Sequence, residues 1–341
     1  MTLVVDLPPF VFSKKFYLSL LWWLIFGLLL GCRDTSVGSF EGPTMGTTYS
    51  VKWQGDVSES DLRPGFERIL QSINDQMSTY LPDSEISRFN EQNSEDWFPI
   101  SREFLAVVTA ANQIFQETTG AFDISVGPAV NLWGFGPTGR VTKAPSDQAL
   151  RALSVFHQRV PTRESPPALK KVSSGQRIDL SGIAKGFAVD ELGRFLEASG
   201  VTNYLVEIGG EVRSKGKNDQ GLDWRLGVER PDAAGRVVQR IIPLRGMSLA
   251  TSGDYRNYFE ENGKRFSHII DPRTRKPVNH MVASVSVLHP ECMMADGYAT
   301  AFMVLNLEEG LRVANELKLP VLWLVREGES FREVLSASFE K

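Results

Sequence analysis

The sequence has little cysteine and little histidine, two and four residues respectively in 341, and it contains no run of basic residues. Cys32 and Cys292 are too few for a disulfide framework. A formal net charge of −4 without a basic cluster offers nothing to nucleic acid, which excludes that class of partner. Internal repeats and low-complexity tracts are absent as well. One apolar run stands out, "FYLSLLWWLIFGLLLGC", but its roughly 15 apolar residues are short for a membrane span and match the core of an export signal.

Lys14 and Lys15 precede that run, and it ends in Leu29-Leu30-Gly31-Cys32, which resembles the bacterial lipobox. Residues 1–31 are therefore expected to be a lipoprotein signal peptide, Cys32 the lipidated first residue of the mature chain, and the polar stretch 32–41 a tether. A lipidated Cys32 leaves Cys292 without an intramolecular partner. The remainder, 42–341, is long enough for one large domain or two intimately joined lobes. This places the protein in the bacterial cell envelope on the periplasmic side, touching the membrane through its lipid alone. The inner membrane is favoured over the outer, although Arg33 and Asp34 do not decide between them.

Helical periodicity is plain where Leu62, Phe66, Ile69, Leu70, Ile73 and Met77 share one face. It recurs through Phe104, Val107, Val108, Ala111, Ile114 and Phe115 before Gly120 stops it. Further helices are expected over 182–200, 296–305 and 307–317. Segments rich in β-branched and aromatic residues, such as "YLVEIGGEVRSKG", "DWRLGVERP", "VASVSVLHP" and "PVLWLVREG", read as strands, and Asn262-Gly263 as a hairpin turn. The stretches 136–145 and 160–176 read as surface loops. Grouped strands with interspersed helices predict an α+β fold with mixed, largely antiparallel sheets and packed helices.

Four clusters could carry chemistry. In "RIDLSGIAKGFAVD" an acid, Asp179, closes an apolar strand, Ser181 and Gly182 lead into a helix, and Lys185 follows. An acid, open backbone groups and a cation at one helix N-terminus suit phosphate or a ligand's polar edge. A plain capped helix with Lys185 in solvent would use the same residues. In "MMADGYATAF", Asp296 and Thr300 lie four apart on one helix face, and a carboxylate with a hydroxyl suits a hard cation such as Mg²⁺, helped by main-chain carbonyls for which Gly182 and Ala299 are candidates. Otherwise Asp296 is the helix cap and Thr300 bonds its own backbone. His268, in a strand beside acids, is the best available general base, or else a structural histidine. Finally, "GAFDISVGPAVNLWGFGP" joins Asp123 to a Gly-rich aromatic loop that could stack a planar heterocycle while the acid bonds its edge, or that simply packs as core.

Eight motifs in order cover nearly the whole mature chain: "MGTTYS" (45–50), "MSTYLPDSEISRFN" (77–90), "FDISVGPAVNLWGFGP" (122–137), "IDLSGIAKGFAVD" (178–190), "EIGGEVRSKG" (207–216), "TSGDYRNYF" (251–259), "HIIDPRT" (268–274) and "ADGYATA" (295–301). Together they resemble the motif series of the ApbE family, the FAD:protein FMN transferases. The resemblance implies a Mg²⁺-dependent enzyme that takes FAD and attaches FMN through a phosphoester to a threonine of an acceptor protein, such as a subunit of a membrane redox complex, releasing AMP. It further implies that Asp296 and Thr300 ligate Mg²⁺ with main-chain help from Gly182 and Ala299. Met45, Tyr80, Ala121, Phe122, Asp123, Asp179, Lys185 and Ile270 would contact FAD, and His268 would accept the threonine proton. Where that family usually carries glycine after Asp271-Pro272-Arg273-Thr274, this chain has Arg275, expected to alter the turn and to add a second cation near phosphate. Two other readings share these residues: a Mg²⁺-dependent FAD pyrophosphatase, and a non-catalytic periplasmic flavin-binding lipoprotein.

Overall fold

The computed structural model describes residues 36–153, 156–231, 237–255 and 257–339. The expected signal peptide and Cys32 lie outside them. The chain's main sheet starts with β1 (Val37–Thr44) and β2 (Thr47–Gln54), joined at Met45-Gly46 with φ of 48° and 73°. Two central residues at positive φ give the turn whose twist matches that of the flanking strands. The folded body thus begins by Val37, inside the stretch expected as tether.

Six more strands complete the sheet: β3 (Asn203–Ile208), β4 (Glu211–Lys215), β5 (Ser248–Gly253), β6 (Val282–His289), β7 (Val321–Glu327) and β8 (Ser330–Leu335). Every pairing is antiparallel, and the strands lie side by side in the order in which the chain makes them. The α+β expectation holds. β6 is buried along its length except at His289, which accounts for the near-continuous apolar and small residues of "VASVSVLH".

Helices are inserted between neighbouring strands. α1 (Glu59–Met77), α2 (Arg102–Glu117) and α3 (Ala184–Ala198) fall between β2 and β3, and α4 (Cys292–Val304) and α5 (Leu307–Glu316) between β6 and β7. α1 buries the stripe seen in the sequence, Leu62, Phe66, Leu70, Ile73 and Met77. α2 starts where the Ser101 side chain accepts from the Phe104 N–H. The helices share one apolar core with the sheet, including Val51, Phe66, Val206, Val285 and Phe302. A second core, with Val212, Leu249, Leu322 and Leu324, is closed by the hairpin of Arg225–Glu229 and Val238–Pro243 through Val228 and Ile242. No described helix is long and apolar enough to cross a membrane.

Two expectations need correction. Helix α4 begins at Cys292, four residues before Asp296, so Asp296 lies inside it and does not cap it. The 160–176 stretch is no simple surface loop. Its strands Thr162–Glu164 and Pro167–Leu169 pair with each other, Pro167–Leu169 also pairs with Phe98–Pro99, and Lys171 and Gln176 are buried. The polar and proline-rich composition concealed a small sheet whose polar side chains bond inward.

Candidate active site

A cleft of about 860 Å³ opens beside the ends of β2 to β5. One wall is the segment before α3. There the Asn90 side chain pairs with the main chain of Ile178, donating to its carbonyl at 2.8 Å and accepting from its N–H at 2.8 Å. The Asp179 N–H donates to the Ile124 carbonyl at 2.7 Å, and the Asp179 carboxylate turns back to accept from the Ser181 N–H at 2.7 Å. This local turn presents Gly182 and the start of α3 to the cleft.

Lys185 is not in solvent. Its Nζ lies 2.6 Å from Glu211 Oε2 at the start of β4, and Asp296 is the next acid that acts on it. Burial alone would lower the ammonium, but Glu211 and Asp296 outweigh it and hold Lys185 above its ordinary value. Burial pushes the Glu211 carboxyl up, Lys185 opposes this and Asp296 reinforces it, leaving the group at about 7. Asp296 is likewise raised by burial against the pull of Lys185. Two buried acids around one ammonium leave a surplus negative charge that either a proton or a cation can balance.

The α4 residues make that balance specific. Thr300 is the one position of α4 that is not buried, and its Oγ1 donates to the Gly182 carbonyl at 3.4 Å, with Ser252 Oγ also at 3.4 Å. One Asp296 oxygen, Oδ2, accepts from the Gly186 N–H at 3.0 Å. The Thr300 hydroxyl meets the Gly182 carbonyl and the Asp296 carboxylate lines the same cleft, a donor set that fits a small hard cation completed by water and phosphate oxygens. No cluster of three or more His, Cys, Asp or Glu occurs among the described residues, so a cage built of such side chains alone is absent there. Ala299 is buried beneath the cleft and does not line it.

Opposite, His268 faces the cleft with Nδ1 at 3.1 Å from the Asn257 carbonyl. A carbonyl only accepts, so Nδ1 carries the proton and Nε2 keeps its lone pair. Burial lowers the imidazole's pKa, which favours the neutral ring with Nε2 unprotonated. Asp254, the neighbouring acid, is held by the Arg326 guanidinium through both carboxylate oxygens. Ile270 lies just beyond His268 on the same wall.

Met45 at the β1–β2 turn and Tyr80, largely exposed, rim the cleft, while Ala121, Phe122 and Asp123 form its floor. The Asp123 carboxylate is already bonded within the protein. The side chain is 1% exposed and both oxygens are engaged, with the Ser125 N–H at 2.7 Å and His157 Nδ1 at 2.9 Å. The aromatic loop is core: Trp133 stacks on Phe266 at 5.3 Å and donates to the Arg275 carbonyl at 2.8 Å, and only its neighbours Val130 and Phe135 reach the cleft. Arg275 adopts φ 62°, the conformation a glycine would take, and its guanidinium donates to the Leu150 carbonyl at 3.0 Å, away from the cleft. The expected second cation near phosphate is therefore spent elsewhere.

The sequence matches the ApbE family over residues 45–323. The chain belongs to the ApbE family. It is 45% identical over 317 residues to an FAD:protein FMN transferase of Vibrio cholerae, covering 92% of this chain and 95% of that one. The Escherichia coli K12 FAD:protein FMN transferase is 37% identical over 312 residues, with 90% and 89% covered. Among solved structures, the flavin transferase ApbE from Vibrio cholerae superposes with a TM-score of 0.84 at 43% identity, covering 90% of this chain and 99% of that one. The apo Pseudomonas stutzeri flavinyl transferase ApbE gives 0.82 at 38%, covering 90% and 96%.

In this ApbE chain, the residues picked from the sequence as FAD contacts, metal ligands or base that fall within the described part line one cleft, except Ala299, and Arg275 lies outside it as well. Glu211 was missed, although "EIGGEVRSKG" contains it. Two glycines at φ 62° and 111° turn the chain between β3 and β4 immediately before it, and an acid after such a turn beside a lysine-bearing helix was the available signal. Asn90, ending "SEISRFN", gave no chemical signal because its task is to bond backbone.

Proposed function

We propose that the protein is an FAD:protein FMN transferase acting on a threonine of an acceptor protein, with Mg²⁺ at the Asp296–Thr300–Gly182 oxygens, and that it works on the periplasmic side of the bacterial membrane, lipid-anchored at Cys32. The observation that carries this reading is the gathering of Lys185, Glu211, Asp296 and Thr300 opposite His268 across one cleft. Family membership and the named relatives support the transfer of FMN from FAD.

Bound Mg²⁺ would offset the diphosphate charge and ease cleavage of the anhydride. Asp296 and Thr300 would hold it by side-chain oxygens, Gly182 by its carbonyl. Lys185, kept cationic, adds a fixed charge beside the phosphates. His268 Nε2 takes the proton of the incoming threonine hydroxyl as its oxygen bonds to the FMN-side phosphorus. The phosphorus–oxygen bond to the adenylate breaks, and AMP leaves with that electron pair. No nucleophile of this chain is required, which agrees with a site rich in acids and cations.

Incubation of the protein with FAD, Mg²⁺ and a threonine-bearing acceptor, followed by intact mass of the acceptor and chromatography of the nucleotides, tests the reading. An FMN increment on the acceptor with one AMP per event is expected. FMN and AMP in solution with an unmodified acceptor would indicate the pyrophosphatase, and intact FAD would indicate a flavin-binding protein.

A further inference from the structure

Helix α4 carries Asp296 and Thr300, and its N-terminus is capped from outside. Glu291 at the cap position makes no side-chain cap bond, and no acid stands in the first turn. The free N–H groups of Cys292 and Met293 donate instead to Asp190, 3.0 Å to Oδ1 and 2.9 Å to Oδ2. Asp190 is fully buried on α3, four residues after Gly186 and hence on the same helix face. The favour runs both ways. The α3 cap residue, Ile183, has no acceptor in its side chain, and the Gly186 N–H donates to Asp296 Oδ2 at 3.0 Å. Each helix supplies the carboxylate that the other's N-terminus lacks. The contact has no slack, because a Cβ on Gly186 would stand 2.4 Å from the Cys292 carbonyl oxygen. Arg213 on β4 braces Asp190 from the sheet, Nη1 at 2.7 Å from Oδ1, and is itself held by Tyr204 and Glu197.

We infer that Asp190 is a positioning residue for the cation site: its carboxylate sets the axial register of α4 on α3. It thereby sets how Asp296 and Thr300 on one helix stand relative to the Gly182 carbonyl at the head of the other. The inference rests on the divalent-cation reading above. A slip of one residue along a helix is about 1.5 Å, large against the roughly 2.0–2.1 Å bonds and near-octahedral geometry that Mg²⁺ demands. Asp190 does not line the cleft, so its influence reaches the cation through the two helices it joins.

Asp190→Asn replaces one acceptor by an amide N–H facing a donor and removes the charge that Arg213 braces. The readouts are Mn²⁺ binding by electron paramagnetic resonance on flavin-free protein, FAD binding by fluorescence without metal, and turnover against Mg²⁺ concentration. Mn²⁺ affinity should fall about 10–100-fold, the usual consequence of disturbing what orients a metal ligand, and high Mg²⁺ should restore kcat. Metal-free FAD affinity should stay at the wild-type value. Unchanged Mn²⁺ affinity, or a loss of turnover that Mg²⁺ does not restore, overturns the inference. Should Asp190→Asn fail to fold, Arg213→Lys decides on the same readouts, since it keeps the charge but loses the planar group that ties Asp190 to Tyr204 and Glu197. Weaker Mn²⁺ binding is then expected, and wild-type binding overturns the inference. Asp296→Ala separates the two levels: if it binds Mn²⁺ as the wild type does, the cation reading itself is wrong and the positioning role falls with it.

Discussion

His268 donates through both its main-chain N–H and its Nδ1 to the Asn257 carbonyl, so the ring's tautomer and aim are fixed before any substrate arrives. His268→Asn keeps a donor for that carbonyl and removes the base. Single-turnover flavinylation should drop about 10²–10⁴-fold while FAD affinity by fluorescence is retained, and a full transfer rate would remove His268 from the chemistry. Arg275→Gly makes a contrasting case. It relieves roughly 1–2 kcal/mol of left-handed strain and forfeits one hydrogen bond of comparable size, so stability by denaturant titration should lie within about 1 kcal/mol of wild type. FAD affinity should not change, because the guanidinium bonds Leu150 and not the cleft. A tenfold weaker FAD complex would mean that Arg275 reaches the phosphates after all. At this scale residue type was legible and its employment was not. Asp123 was legible as a cleft residue, whereas its partner His157, which bonds its carboxylate, comes from a distant loop that local pattern does not register.

Among the elements, the strand–loop unit around 160–176 ties down the head of α3. Lys171 donates to the carbonyls of Asn90 and Gln92 at 2.9 and 2.6 Å, and Asn90 in turn holds Ile178. Burial, helped by Arg177, pushes the Lys171 ammonium down from 10.5 to about 8. The sign follows from proton uptake. Below about pH 8 both folded and unfolded chains carry the proton and the penalty of burying it is present in full. Between about 8 and 10.5 the folded chain releases the proton first, so the unfolding free energy contributed by this group rises with pH across that window. Denaturant titrations of wild type and Lys171→Met from pH 7 to 10.5 check this, and parallel curves would show that Lys171 does not titrate there. Helices α1 and α2 were readable because their apolar stripes and, for α2, the Ser101 cap are local signals. The start of α4 was not, because "PECMMA" holds no cap of its own and the carboxylate that ends its first turn belongs to Asp190, 102 residues from Cys292. The same gap hid the small sheet at 162–169, whose strands are only three residues each and too short to show a period.

For the whole molecule, the proposed lipid anchor separates location from catalysis. Cys32→Ala should lose the diacylglyceryl mass and membrane retention, with the soluble protein still transferring FMN, and an unchanged mature mass would remove the anchor. The main sheet carries a different implication, about time. Neighbouring strands are neighbours in sequence, so the sheet can zip from one hairpin to the next, yet one pair, β2 and β3, must meet across residues 54 to 203. The candidate site residues of the cleft come largely from segments inserted between strands: Tyr80, Ala121–Asp123 and Asp179–Lys185 from that longest insertion, His268 from the one before β6, and Asp296 and Thr300 from the one before β7. Closing long loops is the slow entropic step of such a topology. In refolding from denaturant, far-ultraviolet circular dichroism should recover before the protein regains the ability to quench FAD fluorescence. A newly made chain would then pass through an interval in which it is built like its relatives but cannot yet hold a flavin, and FAD present at that stage would select for the chains that have finished.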